Sequence, residues 1–432
     1  MSKINSKDFY NEWSGHKITD LNNIIDSLRS YNKQNKNRSV IFLAGDSSLD
    51  NKYWPLNDST EKLLCNKPPI NGYEDVLIGN DCVPDVAYQI NQTLIENELD
   101  NEYVCINTSI EATKLEQRFD IDSKVKLLAQ DQFICDNMTK DDILIVSISG
   151  NDFALGPTAK IEADMRKYVK AFEENNYKEQ NDLFGETGIF YGLFVNKMSE
   201  YIKKLCSKKN PKKVIICMIY FVSIPFFKIS GGHWAKKTID IFKYASNPDI
   251  LKSFIIKCHG LIKRNYLINS GINIFESCPL YEVLDELDNT LYLAGVEPSI
   301  KGGKLMAERF VDQIKIHKYI RSKFTHMGYN PDAYSYSMLY FRNEFDIKSS
   351  NNLKELLYFL LDETHKLNNT KKDKYYYNEL KKYINIILKE YSNIDDIDLF
   401  IKNEALDMKI EDPLEALAEA GVSFSWADEV DD

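Results

Sequence analysis

The sequence predicts an α/β fold, a parallel sheet with helices on both of its faces. Three observations carry that expectation. Five short runs are apolar without polar alternation, which suits strands covered on both sides. Stretches of helical period separate them. The chain has 432 residues, 44% of them hydrophobic, enough to bury a sizeable core around such a sheet.

In chain order, Ile18, Leu21, Ile24, Ile25 and Leu28 repeat at helical spacing within residues 17–33. A strand follows at Val40–Ala44 and runs into the turn Gly45-Asp46-Ser47. Further strands are expected at Tyr103–Asn107, Ile143–Ser147 and Lys213–Ile219, with a short one at Ile272–Phe275. Helices are expected over 188–207 and 248–268. The polar segment from about Gly156 to Glu186 interrupts the alternation and reads as an insertion over the carboxyl edge of the sheet. Open α/β folds place their sites at that edge. Segments 156–186 and 221–240 are therefore expected to shape any pocket.

The organisation expected is an N-terminal helix (1–37), a sheet domain (38–320), a helical region (321–410) and an acidic tail (411–432). In the helical region, Leu353–Asn368 and Tyr375–Tyr391 read as an antiparallel pair, with a third helix over 394–408. The tail holds a short helix at Leu414–Ala420 and a solitary Trp426. No repeat of solenoid length is evident.

Lys and Arg number 54 against 65 Asp and Glu, a net charge of −11 that argues against nonspecific nucleic-acid binding. The longest apolar run, Val214–Pro225, is too short to cross a bilayer. The first residues, Met1 to Lys7, lack a signal-peptide core, so the cytoplasm is the expected compartment. Eight cysteines without a C-x-x-C pair read as small buried hydrophobes, and six histidines show no zinc spacing. No metal or organic cofactor is expected.

Four motifs fall at strand ends. In Gly45-Asp46-Ser47 a tight turn after a buried strand presents a serine hydroxyl, and its own N–H, at the sheet edge, as a nucleophile requires. Asn107–Ala112 follows the next strand and Ser149-Gly150-Asn151-Asp152 the third. The Asn151 amide and the N–H groups of Ser47 and Ala112 are candidates to hold a developing oxyanion. The fourth motif, Gly295 to Gly303, opens a helix.

Together these residues resemble the SGNH (GDSL-type) hydrolases over roughly residues 38–318. The likeness is closest to a bacterial subgroup with the run Gly45 to Asn51, the later Pro84-Asp85-Val86, and Glu297-Pro298-Ser299 through Gly303. It implies a three-layer α/β/α, flavodoxin-like domain and serine esterase or acyl-transferase chemistry on a small ester-bearing substrate. Two departures stand out. Ala112 occupies the place of an oxyanion-hole glycine, and an alanine keeps its N–H if the backbone there accepts a Cβ. The usual Asp-x-x-His is replaced by Ala294-Gly295-Val296-Glu297, so both members of the base pair are missing.

Two readings of that replacement stand side by side. In one, Glu297 takes the Ser47 proton directly, which requires burial to raise its pKa well above the ordinary carboxyl value. In the other, the site is degenerate and Glu297 caps the helix that follows. His233, in a Gly-rich loop, reads as a surface residue that could reach the site.

A different class of function is suggested beyond the sheet domain. Tyr334, Leu339 and Tyr340 resemble the Tyr-x-x-x-x-Leu-Φ peptide with which scaffold and repressor proteins bind the cap-binding translation initiation factor, and Arg342 resembles its basic follower. The acidic segment around Trp426 is similar to one in translation initiation accessory factors. That reading makes the chain a non-catalytic adaptor. Its plain alternatives are an aromatic stripe packing the helical region and a solubilising tail.

Overall fold

The structure, a computed structural model, describes residues 3–30, 37–229, 234–269 and 275–326. The helices expected between 353 and 408, the acidic tail with its 414–420 helix, and His233 lie outside the described residues.

The fold is the expected α/β/α sandwich. Its sheet has five parallel strands: β1 (Ser39–Gly45), β2 (Tyr103–Asn107), β3 (Ile143–Ser147), β4 (Lys213–Met218) and β5 (Phe275–Pro279), in the order β2-β1-β3-β4-β5. Register is fixed by pairs such as Val40 with Val104 and Ile41 with Ile143. β1 feeds both faces. Val40, Phe42 and Ala44 join the larger core, whereas Ile41 and Leu43 join the smaller one.

The larger core is covered by α1 (Ile18–Ser30), α3 (Ala129–Asn137), α7 (Met198–Leu205) and α9 (Asp249–Asn269). The smaller is closed by α2 (Val86–Glu96) and α10 (Ile300–His326), through Ile90 and Leu94 against Met306 and Phe310. α1 buries Leu21, Ile24, Ile25 and Leu28, the stripe read from its spacing. The eight cysteines are all free and buried, as expected of small hydrophobes. Among the described residues no helix is long and apolar enough to cross a membrane.

Of the strand expected at Ile272–Phe275, residues 272–274 lie outside the described residues; from Phe275 the strand runs to Pro279, and Glu276 and Ser277 pair with Ile215 and Ile216. The polar 156–186 segment forms two helices, α5 (Ala159–Glu173) and α6 (Tyr177–Leu183). Met165 and Tyr168 sink into the larger core, so the polarity belonged to one face only.

Candidate active site

The strand order reverses between β1 and β3, and sites in open α/β sheets form at such a switch, beyond the carboxyl ends. Gly45 ends β1 there. A Cβ at Gly45 would lie 1.9 Å from the Ser147 carbonyl oxygen, so only glycine lets the two strands approach. Asp46 N–H donates to Ser147 O at 3.1 Å, and Asp46 O then accepts from the N–H groups of Leu49 and Asp50. This tight turn holds Ser47, 6% exposed, at the edge of the sheet. Ser48 donates to the Asp46 carboxylate from both its N–H and its hydroxyl.

Glu297 arrives from 250 residues away. Tyr292–Leu293 and Glu297–Pro298 pair as an antiparallel hairpin, turned by Ala294 and Gly295, both at positive φ. A Cβ on Gly295 would strike the Phe226 ring at 2.2 Å. The hairpin delivers Glu297 so that Ser47 Oγ donates to its Oε1 at 3.2 Å, with both residues buried. Glu297 does not cap the helix. α10 is capped by Ser299, whose Oγ accepts from Gly302 N–H at 3.0 Å, and by Glu61, which accepts from Ile300 N–H.

Burial pushes the Glu297 carboxyl up to about 8; the Ser47 hydrogen bond opposes that and the nearby Asp46 adds to it. Glu297 Oε2 has no hydrogen-bond partner, and no cation sits against the group among the described residues. Glu111 is held above the ordinary carboxyl range too, by burial first and by Glu297 next. Its Oε1 accepts from Trp54 Nε1 at 3.2 Å, and its Oε2 also lacks a partner. Sequence reasoning passed over Glu111, although it stands next to Ala112 in the second motif.

The loop bearing Ala112 is pinned at both sides. Ile110 N–H donates to Gly45 O at 3.0 Å, and Asn151 Nδ2 donates to Thr113 O at 3.1 Å. Asp152 holds its far end by accepting from the N–H groups of Leu115 and Glu116. Ala112 has φ +59, the left-handed conformation that favours glycine, so the Cβ is tolerated at a cost. Asn151, 4% exposed, lies in the first turn of the short helix α4 (Gly150–Ala154) and keeps a second amide hydrogen beyond the one given to Thr113.

A second buried layer steadies the first. Asn51 donates to Pro298 O at 2.9 Å and accepts from Val86 N–H at 3.0 Å, so one side chain joins the serine turn, the Glu297 hairpin and the start of α2. Asp50 accepts from Lys52 Nζ and Gly15 N–H, each at 2.6 Å, and from Glu111 N–H at 2.9 Å. Asn107 Nδ2 bonds Asp85 at 3.0 Å. Buried His16 is pushed down to about 3, by burial first and then by Lys52, so it is neutral and its Nδ1 bonds Phe9 O. The runs Gly45–Asn51 and Pro84–Val86 carried the signal for this layer, but nothing in them said that Asn51 reaches the hairpin.

Beside Ser47 opens a cavity of about 90 Å³. Its polar end holds Asp46, Ser47, Ser149, Asn151 and Glu297; Met218, Phe194, Phe242 and Phe254 form its apolar remainder. Of the two segments expected to shape it, 221–240 contributes Val222, Trp234, Thr238 and Ile239, whereas nothing from 156–186 reaches it. The buried face of α5 instead packs behind it, Tyr168 lying edge-on to Phe254. Among the described residues no group of three or more His, Cys, Asp or Glu is placed to hold a metal ion. Tyr334, Leu339, Tyr340 and Trp426 lie outside the described residues.

No protein-family model matches the chain, and no curated protein matches it. Among solved structures it is similar to a carbohydrate acetylesterase from Sinorhizobium meliloti, at 11% identity and a TM-score of 0.33, over 65% of this chain and 99% of the esterase. An acetylxylan esterase from Geobacillus stearothermophilus matches at 13% identity and a TM-score of 0.32, over 64% and 94%. A lipase/acylhydrolase from Enterococcus faecalis matches at 13% and 0.29, over 64% and 95%. What the site can do follows from its own residues.

Proposed function

We propose that the chain is a serine esterase or acyl transferase in which Glu297 replaces the usual histidine base. The observation that carries this reading is the buried Ser47 Oγ to Glu297 Oε1 hydrogen bond at the sheet's switch point. A helix-capping or merely solvated carboxylate would make no such bond. The upward shift of the buried Glu297 carboxyl supports the same reading, since a general base works best with a pKa near the operating pH.

In the reaction, the Glu297 carboxylate takes the Ser47 proton as Oγ bonds to the ester carbonyl carbon. The carbonyl oxygen, now negative, is held by the Ser47 and Ala112 N–H groups and the spare Asn151 amide hydrogen. Neutral Glu297 then returns its proton to the departing alcohol as the ester C–O bond breaks. Water or a second alcohol, deprotonated by the same carboxylate, releases the acyl group and restores Ser47.

The test is labelling by a fluorophosphonate probe between pH 6 and 9, beside a folded Ser47→Ala variant. Labelling confined to the parent chain, rising toward a plateau above about pH 8, supports the dyad. A folded parent chain that never labels overturns it and leaves the degenerate reading.

A further inference from the structure

The cavity beside Ser47 does not have the character of a site for a small polar group. Among the described residues its only charged side chains are Asp46 and Glu297, both at the nucleophile's end. Away from that end, Phe153, Phe194, Met218, Phe242, Phe254 and Ile255 make the wall. Thr238 lines it as well, but its hydroxyl is already given to Phe153 O at 2.6 Å. Phe194 and Phe242 are 2% and 0% exposed, so the inner wall is buried, while Ile219, Val222 and Trp234 are the half-buried part of the lining.

The void has a structural device behind it. The helix leading to α7 widens into a π-turn over Gly192–Lys197, and Phe194 comes from that turn. Phe194 stacks on Phe153 at 5.6 Å, two residues beyond Asn151. Such π-turns inside α-helices are frequent at functional sites. Empty apolar space destabilises a core, so a void kept open at the nucleophile calls for an occupant.

Resting on the hydrolase reading of Ser47, we infer that this void is an acyl-chain pocket. The substrate class is then an ester of an unbranched aliphatic acid longer than acetate. The carbonyl sits among Ser47, Ala112 and Asn151, and the alkyl chain runs between β4 and the helices α8 (Lys236–Ile241) and α9. The alcohol leaves on the other side of the carbonyl carbon.

The experiment is a series of p-nitrophenyl esters from acetate to decanoate, run on the full chain and on Ile255→Phe, which fills the pocket. Each buried methylene raises kcat/KM by about fourfold in the ideal case. The hexanoate or octanoate should therefore exceed the acetate by tenfold or more. Ile255→Phe should bring the ratio of hexanoate to acetate kcat/KM down to one or below. A flat profile on an active enzyme overturns the pocket and leaves the hydrolase standing. If no ester turns over, the hydrolase reading fails, and displacement of a fluorescent fatty acid by decanoate from the same protein still decides the pocket: saturable binding supports it and none overturns it. The same displacement assay serves if Ile255→Phe does not fold.

Discussion

Two buried carboxylates, three positions from the nucleophile on one side and across the hairpin on the other, meet opposite treatment. Asp50 has Lys52, Gly15, Glu111 and Asn107 around its two oxygens. Glu297 has one hydrogen bond, from Ser47, and an oxygen with none. Both are fully buried, yet the fold completes one hydrogen-bond shell and leaves the other open. A buried charge stripped of partners is costly, and here the cost falls on the carboxyl that faces the serine. Asp50 is tied into the surrounding scaffold, and Glu297 keeps an oxygen free beside the serine.

The sharpest way to break that contrast is to keep the shape of Glu297 and remove its charge. Glu297→Gln should lower kcat/KM for a p-nitrophenyl ester by roughly 10³-fold, within the range for a lost general base. The parent kcat/KM should climb from pH 6 and level off above about 8, as the free carboxyl ionises, and the variant should show no such rise. A variant that keeps the parental profile would put the base elsewhere.

Stability should move in opposite directions at the two carboxylates. Lys52→Met strands the Asp50 charge and should cost about 3–5 kcal/mol in urea unfolding. Glu297 titrates higher folded than unfolded, so its protonated form favours the fold. That contribution is complete below about 4.5 and is lost as the pH climbs through about 8. Glu297→Gln removes the loss, and its stability advantage over the parent should grow across this window. Equal and pH-independent effects of the two substitutions would erase the distinction.

The next test separates the serine turn from its support. Asn51→Asp keeps an acceptor for Val86 N–H but loses the donor to Pro298 O, the carbonyl beside Glu297. Misplacing a catalytic group by an ångström costs up to about a hundredfold. A fall in kcat of about tenfold or more, with KM within about twofold, is the expected split. Asn51→Ala should lose as much rate and more stability, since Val86 N–H is then unpaired as well.

Much of this was legible before the structure. The strands at Tyr103–Asn107 and Ile143–Ser147 were set by apolar runs that only a doubly covered sheet explains. Ser47, Asn151 and Glu297 could be placed at one edge because each follows a strand or opens a helix. The cavity could not be read, since its wall is drawn from Phe153, Phe194, Met218 and Phe254, apolar residues that look like any other core. Whether an apolar side chain fills space or borders it depends on what faces it, and no spacing records that.

The smallest expected effect concerns left-handed backbone close to the nucleophile. Of the eight non-glycine residues at positive φ among the described residues, Ala112, Ser149 and Ala294 lie in or beside the segments that converge on Ser47. Left-handed backbone costs an L-residue about 1–2 kcal/mol, part of which glycine returns as extra freedom in the unfolded chain. Ala112→Gly should therefore stabilise the protein by no more than about 1 kcal/mol, read as a shift in urea midpoint. The N–H survives the change, so kcat/KM should stay within about twofold. A tenfold loss instead would mean that the methyl group itself confines the loop, and that the left-handed alanine fixes where its N–H points. The strained backbone would then belong with Glu297, a local cost retained for the reaction, and not with the satisfied scaffold around Asp50.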